Sequence, residues 1–137
     1  MDPLTLSPQD RDLYIRTIIG ETDASDPSSV GVAQVIANRM RASGQSAKDV
    51  VLAPGQFEPW SSRSKELLSI SPSDPRYKAA AQIVDNVASG KTPDPTGGAN
   101  QFYAPAAQSA LGRPAPAWDN GQGQQIGAHK FFGGGKQ

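Results

Sequence analysis

The stretch Thr17-Ile18-Ile19-Gly20-Glu21 ends an apolar run on a carboxylate, and spacing decides where that carboxylate points. At roughly 100° per residue, Leu13, Tyr14, Thr17 and Ile18 share one helical face, with Asp12 and Arg16 opposite. Glu21 falls near the middle of the apolar face. A carboxylate taken out of water without a partner is costly, so the group holds its proton to higher pH and can donate it near neutrality. Two readings stay open on the residues alone. Either the helix carries Glu21 to the packed side, or it ends near Gly20 and Glu21 is an exposed capping acid. Gly20 supports the first, because it lets another segment approach the backbone beside the acid.

Other chemistries are limited by residue counts. A catalytic zinc normally takes three protein ligands from His, Cys, Asp and Glu. The chain has one histidine, His129, and no cysteine, so zinc sites, thiolate sites and disulfides are poor expectations, and no metal or other cofactor is expected. A Ser-His-Asp triad would need His129 as its base, and no Gly-x-Ser-x-Gly elbow accompanies it. His129 sits between Ala128 and Lys130 in an apolar, strand-like run, where a hydrogen-bonded structural histidine is the plainer reading. Phe57, Trp60, Tyr103 and Trp118 lie in or beside Gly- or Pro-containing loops. Their rings could meet pyranose faces or simply pack a core. Gln56-Phe57, after the turn Pro54-Gly55, sets an amide beside an aromatic, a pair suited to an N-acetyl group.

The elements that would position these residues start with clear signals. Ser7-Pro8-Gln9-Asp10 reads as cap, first-turn proline and first-turn acid. Asp26-Pro27 opens a second helix that turns Val30, Ala33, Ile36, Ala37 and Met40 inward and stops at Gly44. Ser46 to Leu52 suits a short helix. Asp74-Pro75 opens a third long one, with Tyr77, Ala80, Ala81, Val84 and Ala88 inward and Gly90 as its stop. Asp94-Pro95 runs into Thr96-Gly97-Gly98, which favours a turn instead. "ANQFYAP" and "QIGAHKFF" read as short strands or extended edges, separated by the proline-rich "GRPAPAW" and then "DNGQGQ". The expected fold is mainly α (α+β): helices around a cleft, with a short β-hairpin or extended strands in the C-terminal third. One domain is expected over residues 1–132, with a fraying tail at 133–137.

The chain has 137 residues, enough for one domain with a genuine core. Thirteen basic residues balance thirteen acidic ones, against a dedicated nucleic-acid binder. "MDPLTLSPQD" has no basic start and no long apolar run, so neither a signal peptide nor stable membrane insertion is expected.

Five pieces in order, "RTIIGE" (16–21), "GVAQVIANRM" (31–40), "PGQF" (54–57), "DPTGGANQFYAP" (94–105) and "IGAHKFF" (126–132), resemble the SleB/CwlJ-type cell-wall hydrolases. The resemblance spans about Leu13 to Phe132. It implies a lysozyme-like domain that cleaves bacterial peptidoglycan between N-acetylmuramic acid and N-acetylglucosamine as a lytic transglycosylase, with Glu21 as the catalytic acid/base. Gln56, Phe57, Tyr103 and the Thr96-Gly97-Gly98 turn are expected to line the same cleft, with His129 in its wall. A true lysozyme would need a second carboxylate, for which Asp23, Asp26, Asp94 and Asp119 are the candidates, each with a plainer job as cap or turn residue. The remaining alternative is a non-catalytic peptidoglycan-binding or virion structural module. A monomeric phage or prophage lysis protein is expected, made in the cytoplasm and released to the wall through a holin.

Overall fold

The computed structural model describes residues 3–133, so the expected tail beyond Gly133 lies outside the described residues. Helix α1 spans Pro8–Glu21; the Ser7 hydroxyl accepts the Asp10 amide, and the helix runs through Gly20. Helix α2 spans Ser28–Ser43 and ends on Gly44, whose φ of 73° needs a residue without a Cβ. Pro27 falls one position earlier than expected, at the cap, while the Asp26 carboxylate accepts the Ser28 amide. Short helices α3 (Ala47–Val51), α4 (Glu58–Ser62) and α5 (Ser64–Ser69) lead to α6, Pro75–Ala88, capped by Asp74. Strand β1 (Gln101–Tyr103), helix α7 (Pro105–Ala110), β2 (Gln124–Ile126) and β3 (His129–Phe132) complete the described chain. The fold is mainly α with one small sheet.

Helix α2 is the centre of the packing. Of the expected inward positions Ala33, Ile36, Ala37 and Met40 are buried and Val30 partly so; Val32, Gln34 and Val35 are buried too, because α2 packs against α1, α3 and α6 and also meets the sheet. A helix enclosed this way loses the one-sided pattern of a surface helix. The sheet is antiparallel in the order β1-β3-β2, with Phe102 opposite Phe131 and Ile126 opposite His129. "QIGAHKFF" is therefore two strands joined at Gly127-Ala128, not one. Phe131 joins the helical core, where a Cβ on Gly31 would stand 2.5 Å from its ring.

Arg16 corrects the expected faces of α1. It is buried, not turned outward, because α5 and the chain after it close over that side. Its guanidinium donates to the Leu67 and Ile70 carbonyls and to Asp12, and lies over the Tyr77 ring. Asp12 in turn accepts the Tyr77 hydroxyl at 2.6 Å. Buried charge is tolerable here because the donors find acceptors. Among the described residues no helix is long and apolar enough to cross a membrane.

Candidate active site

Glu21 is the last residue of α1, and its carboxyl faces a cleft of about 310 Å³. One wall is the end of α1 with Gln56 and the first turn of α4, where Glu58 stands exposed. Phe102 and Tyr103 of β1 and Gln108 of α7 form the other, with Arg113 and His129 completing the lining. The helix end can sit this close to α4 because residue 20 is glycine. A Cβ there would stand 2.8 Å from Pro59 Cβ and 3.2 Å from the Leu67 methyls.

Burial pushes the Glu21 carboxyl up to about 7, with the neighbouring Glu58 charge adding to the rise and Arg63 and Arg39 opposing it. A group poised there is available as acid and as base near neutrality.

His129 is buried in the floor of the site. Its Nδ1 lies 2.8 Å from Ser28 Oγ, and the Glu21 backbone carbonyl acts on the ring from the end of α1. Ser28 Oγ is 3.1 Å from Thr22 Oγ1, so a chain of polar groups ties β3 to the end of α1. Burial holds the His129 pKa below its ordinary value, opposed by Asp26 and the Glu21 backbone carbonyl. Asp26 Oδ1 also accepts the Ala128 amide at 3.3 Å, which fastens the hairpin to the same loop.

Of the residues expected in the cleft, Gln56, Tyr103 and His129 line it together with Glu21. The Tyr103 ring stacks on Phe132 at 16° and meets Trp118 edge-on, while its hydroxyl donates to Asp119 at 2.6 Å. Phe57 is not in the lining: it is buried, its ring tilted against Phe102. Thr96, Gly97 and Gly98 are not in the lining either. Their turn is folded around Asp94, which accepts the Thr96 and Gly98 amides, the Thr96 hydroxyl and the Asn38 amide. That ties them to α2 rather than to Glu21. Trp60 packs over α1, its indole N–H donating to Thr17 Oγ1.

Sequence reasoning missed Glu58, Gln108, Arg113 and the two guanidiniums that act on Glu21. Glu58-Pro59 carries the acid-then-proline signal of the other helix starts, so α4 was detectable. Helix α7 buries no residue, so it has no apolar period to detect. The four aspartates considered as second acids are all engaged elsewhere. Asp23 accepts the Ser25 amide and hydroxyl, Asp26 the Ser28 amide, Asp94 the turn just described, and Asp119 Tyr103 and the Gly121 amide. None of them lines the Glu21 cleft.

Two further cavities adjoin the site. One of about 560 Å³ shares Gly20 and runs past Thr22 to Arg63 and Arg76. Another, of about 410 Å³, shares Gln56 and is bounded by Arg39 and Asn100. Among the described residues no group of three or more His, Asp and Glu side chains is gathered as a metal site.

The fold defines a class. The chain resembles the catalytic domain of the germination-specific lytic transglycosylase SleB from Bacillus anthracis, with a TM-score of 0.68 and 22% identity over 94% of this chain and 98% of that one. The catalytic domain of the Bacillus cereus SleB protein matches with a TM-score of 0.64 and 23% identity, covering 95% and 94%. At these identities the likeness is one of fold. The sequence supplies the family: residues 24–132 match the cell wall hydrolase family, and the chain belongs to it, which makes it a peptidoglycan-cleaving enzyme. The matched span begins three residues after Glu21, so the acid itself stands on the geometry of the cleft. No curated protein is significantly similar to the sequence.

Proposed function

We propose that the protein is a lytic transglycosylase that cleaves the glycan strand of peptidoglycan between N-acetylmuramic acid and N-acetylglucosamine, with Glu21 as its acid and base. The observation that carries this reading is the Glu21 carboxyl, raised to about 7 on the wall of an open cleft. Glu21 protonates the glycosidic oxygen as the bond to C1 of the muramic residue breaks. The C6 hydroxyl of the same residue then attacks C1, and Glu21, now ionised, removes its proton. Both transfers use one side chain, and no water is consumed. In this reading Gln56 and Tyr103, which line the cleft, contact the sugars, and His129 supports the end of α1 through Ser28 and Thr22.

Glu58 favours a second reading, a muramidase. Its carboxylate lies in the same cleft, exposed, with no ion pair among the described residues. A hydrolase places a second carboxylate across the scissile bond to activate water or form a covalent intermediate. The test of the shared acid is Glu21→Gln: wall lysis, followed as loss of turbidity of purified cell walls, should fall by at least ~10²-fold, the lower scale for a general acid. Lysis at the parent rate would remove Glu21 from either mechanism.

A further inference from the structure

The proposed reaction needs Glu21 in two states, neutral when it gives its proton and ionised when it takes one back. Burial and Glu58 both favour the neutral state, so the ionised state needs a nearby positive charge. The charged groups around the acid come from several elements: Glu58 on α4, Arg63 beyond it, Arg39 on α2, Arg113 after α7, and the His129 ring on β3. Arg63 opposes the rise more strongly than Arg39, but it also donates to the Gly20 carbonyl and pairs with Glu66, and its side chain is 44% exposed. Arg113 is exposed, and His129 is held below its ordinary pKa by burial.

Arg39 differs from all of these. It is half-buried and held on three sides: Nε donates to the Asn100 carbonyl at 2.8 Å, Nη1 to Gln56 Oε1 at 3.3 Å, and the guanidinium lies 5.3 Å over the Phe57 ring. No carboxylate of the described residues is within ion-pair distance of it. The cation does not line the Glu21 cleft. It bounds the neighbouring 410 Å³ cavity, and Gln56 belongs to both. A charge fixed by two bonds and a ring in a half-buried position is less screened than a fully exposed one.

We propose that Arg39 is a positioning residue of this site: it fixes the Gln56 amide at the cleft and adds, beside Arg63, a standing positive charge that favours Glu21 as a carboxylate. The inference rests on the acid/base role given to Glu21 above. The Coulombic attraction between the two side chains accords with it, being the one influence that opposes the burial of Arg39.

The test is a nuclear magnetic resonance titration of the Glu side-chain carboxyl carbons, with the pH profile of wall lysis beside it. In Arg39→Gln the Glu21 midpoint should move to higher pH, and the alkaline limb of the profile should move with it. Arg39→Lys keeps the charge but loses the forked hold on Gln56 and Asn100, so the limb should stay near the parent's while the rate falls. An unmoved Glu21 midpoint in folded Arg39→Gln overturns the proposal, as does an equal loss of rate in both variants with no change of profile. Should Arg39→Gln not fold, the parent protein decides. Its Arg39 Nε–H resonance should titrate with the Glu21 midpoint and become flat in Glu21→Gln; a resonance already flat in the parent overturns the inference. An active Glu21→Gln would instead bring down the acid/base reading itself, so the two failures are distinguishable.

Discussion

Glu21 carries a stability cost that can be measured apart from catalysis. Its folded pKa of about 7 lies above the ordinary value of 4.5, so the folded state holds the proton more tightly than the unfolded chain. Below the unfolded value both states are protonated and nothing is lost. As pH rises through that window the unfolded chain ionises first, and stability falls until the folded pKa is passed. Fully expressed, the loss is on the order of 3 kcal/mol. Glu21→Gln should therefore melt with the parent near pH 4 and several degrees above it at pH 8. Equal melting curves at both pH values would show that the carboxyl is better solvated than its position implies. The helical face of Glu21 was legible in the sequence because Leu13, Tyr14, Thr17 and Ile18 set the period and the helix does run past Gly20. Glu58 and Arg39 were not. Each acts on Glu21 from another element of the fold, and neither breaks a pattern on its own helix.

At the scale of elements, two glycines let α1 and α2 approach their neighbours. Gly20 admits α4 and α5 beside the acid, while Gly31 admits the Phe131 ring of β3 against α2. Gly31→Ala should cost roughly 1–3 kcal/mol, the usual scale of overpacking a closed core. The displaced ring belongs to the strand that carries His129, so lysis should fall with the melting temperature. An alanine variant with parent stability and activity would mean that β3 shifts freely, and that the His129–Ser28–Thr22 link to the end of α1 is not needed. The long helices were readable because Ser7-Pro8, Asp26-Pro27 and Asp74-Pro75 mark their starts and glycines follow two of them closely. Helices α4, α5 and α7 have five or six residues each, too few to show a period. Arg16 was misplaced for a related reason: a face that looks polar along one helix becomes interior when a short helix supplies carbonyls to it.

For the whole molecule, the Glu21 cleft shares Gly20 with one further cavity and Gln56 with another, a surface with room for more than a small molecule. With a single histidine and no cysteine in the chain, lysis should survive prolonged treatment with a strong chelator. Loss of lysis that added zinc restores would call for an amidase mechanism instead. The product then separates the two glycan-cleaving mechanisms. Attack by the C6 hydroxyl exploits the high effective concentration of a tethered nucleophile and needs no positioned water. The four aspartates that might have served as a second acid are held by caps and turns, which leaves Glu58 as the competing partner in the cleft. Digested peptidoglycan should carry anhydro-muramic ends, lighter by one water than hydrolytic ends, and Glu58→Gln should still release them. Mass spectrometry of the purified muropeptides reads both results. Reducing N-acetylmuramic ends that vanish in Glu58→Gln would establish a hydrolase with two carboxylates, and Glu58 would then be the base that the four aspartates cannot supply.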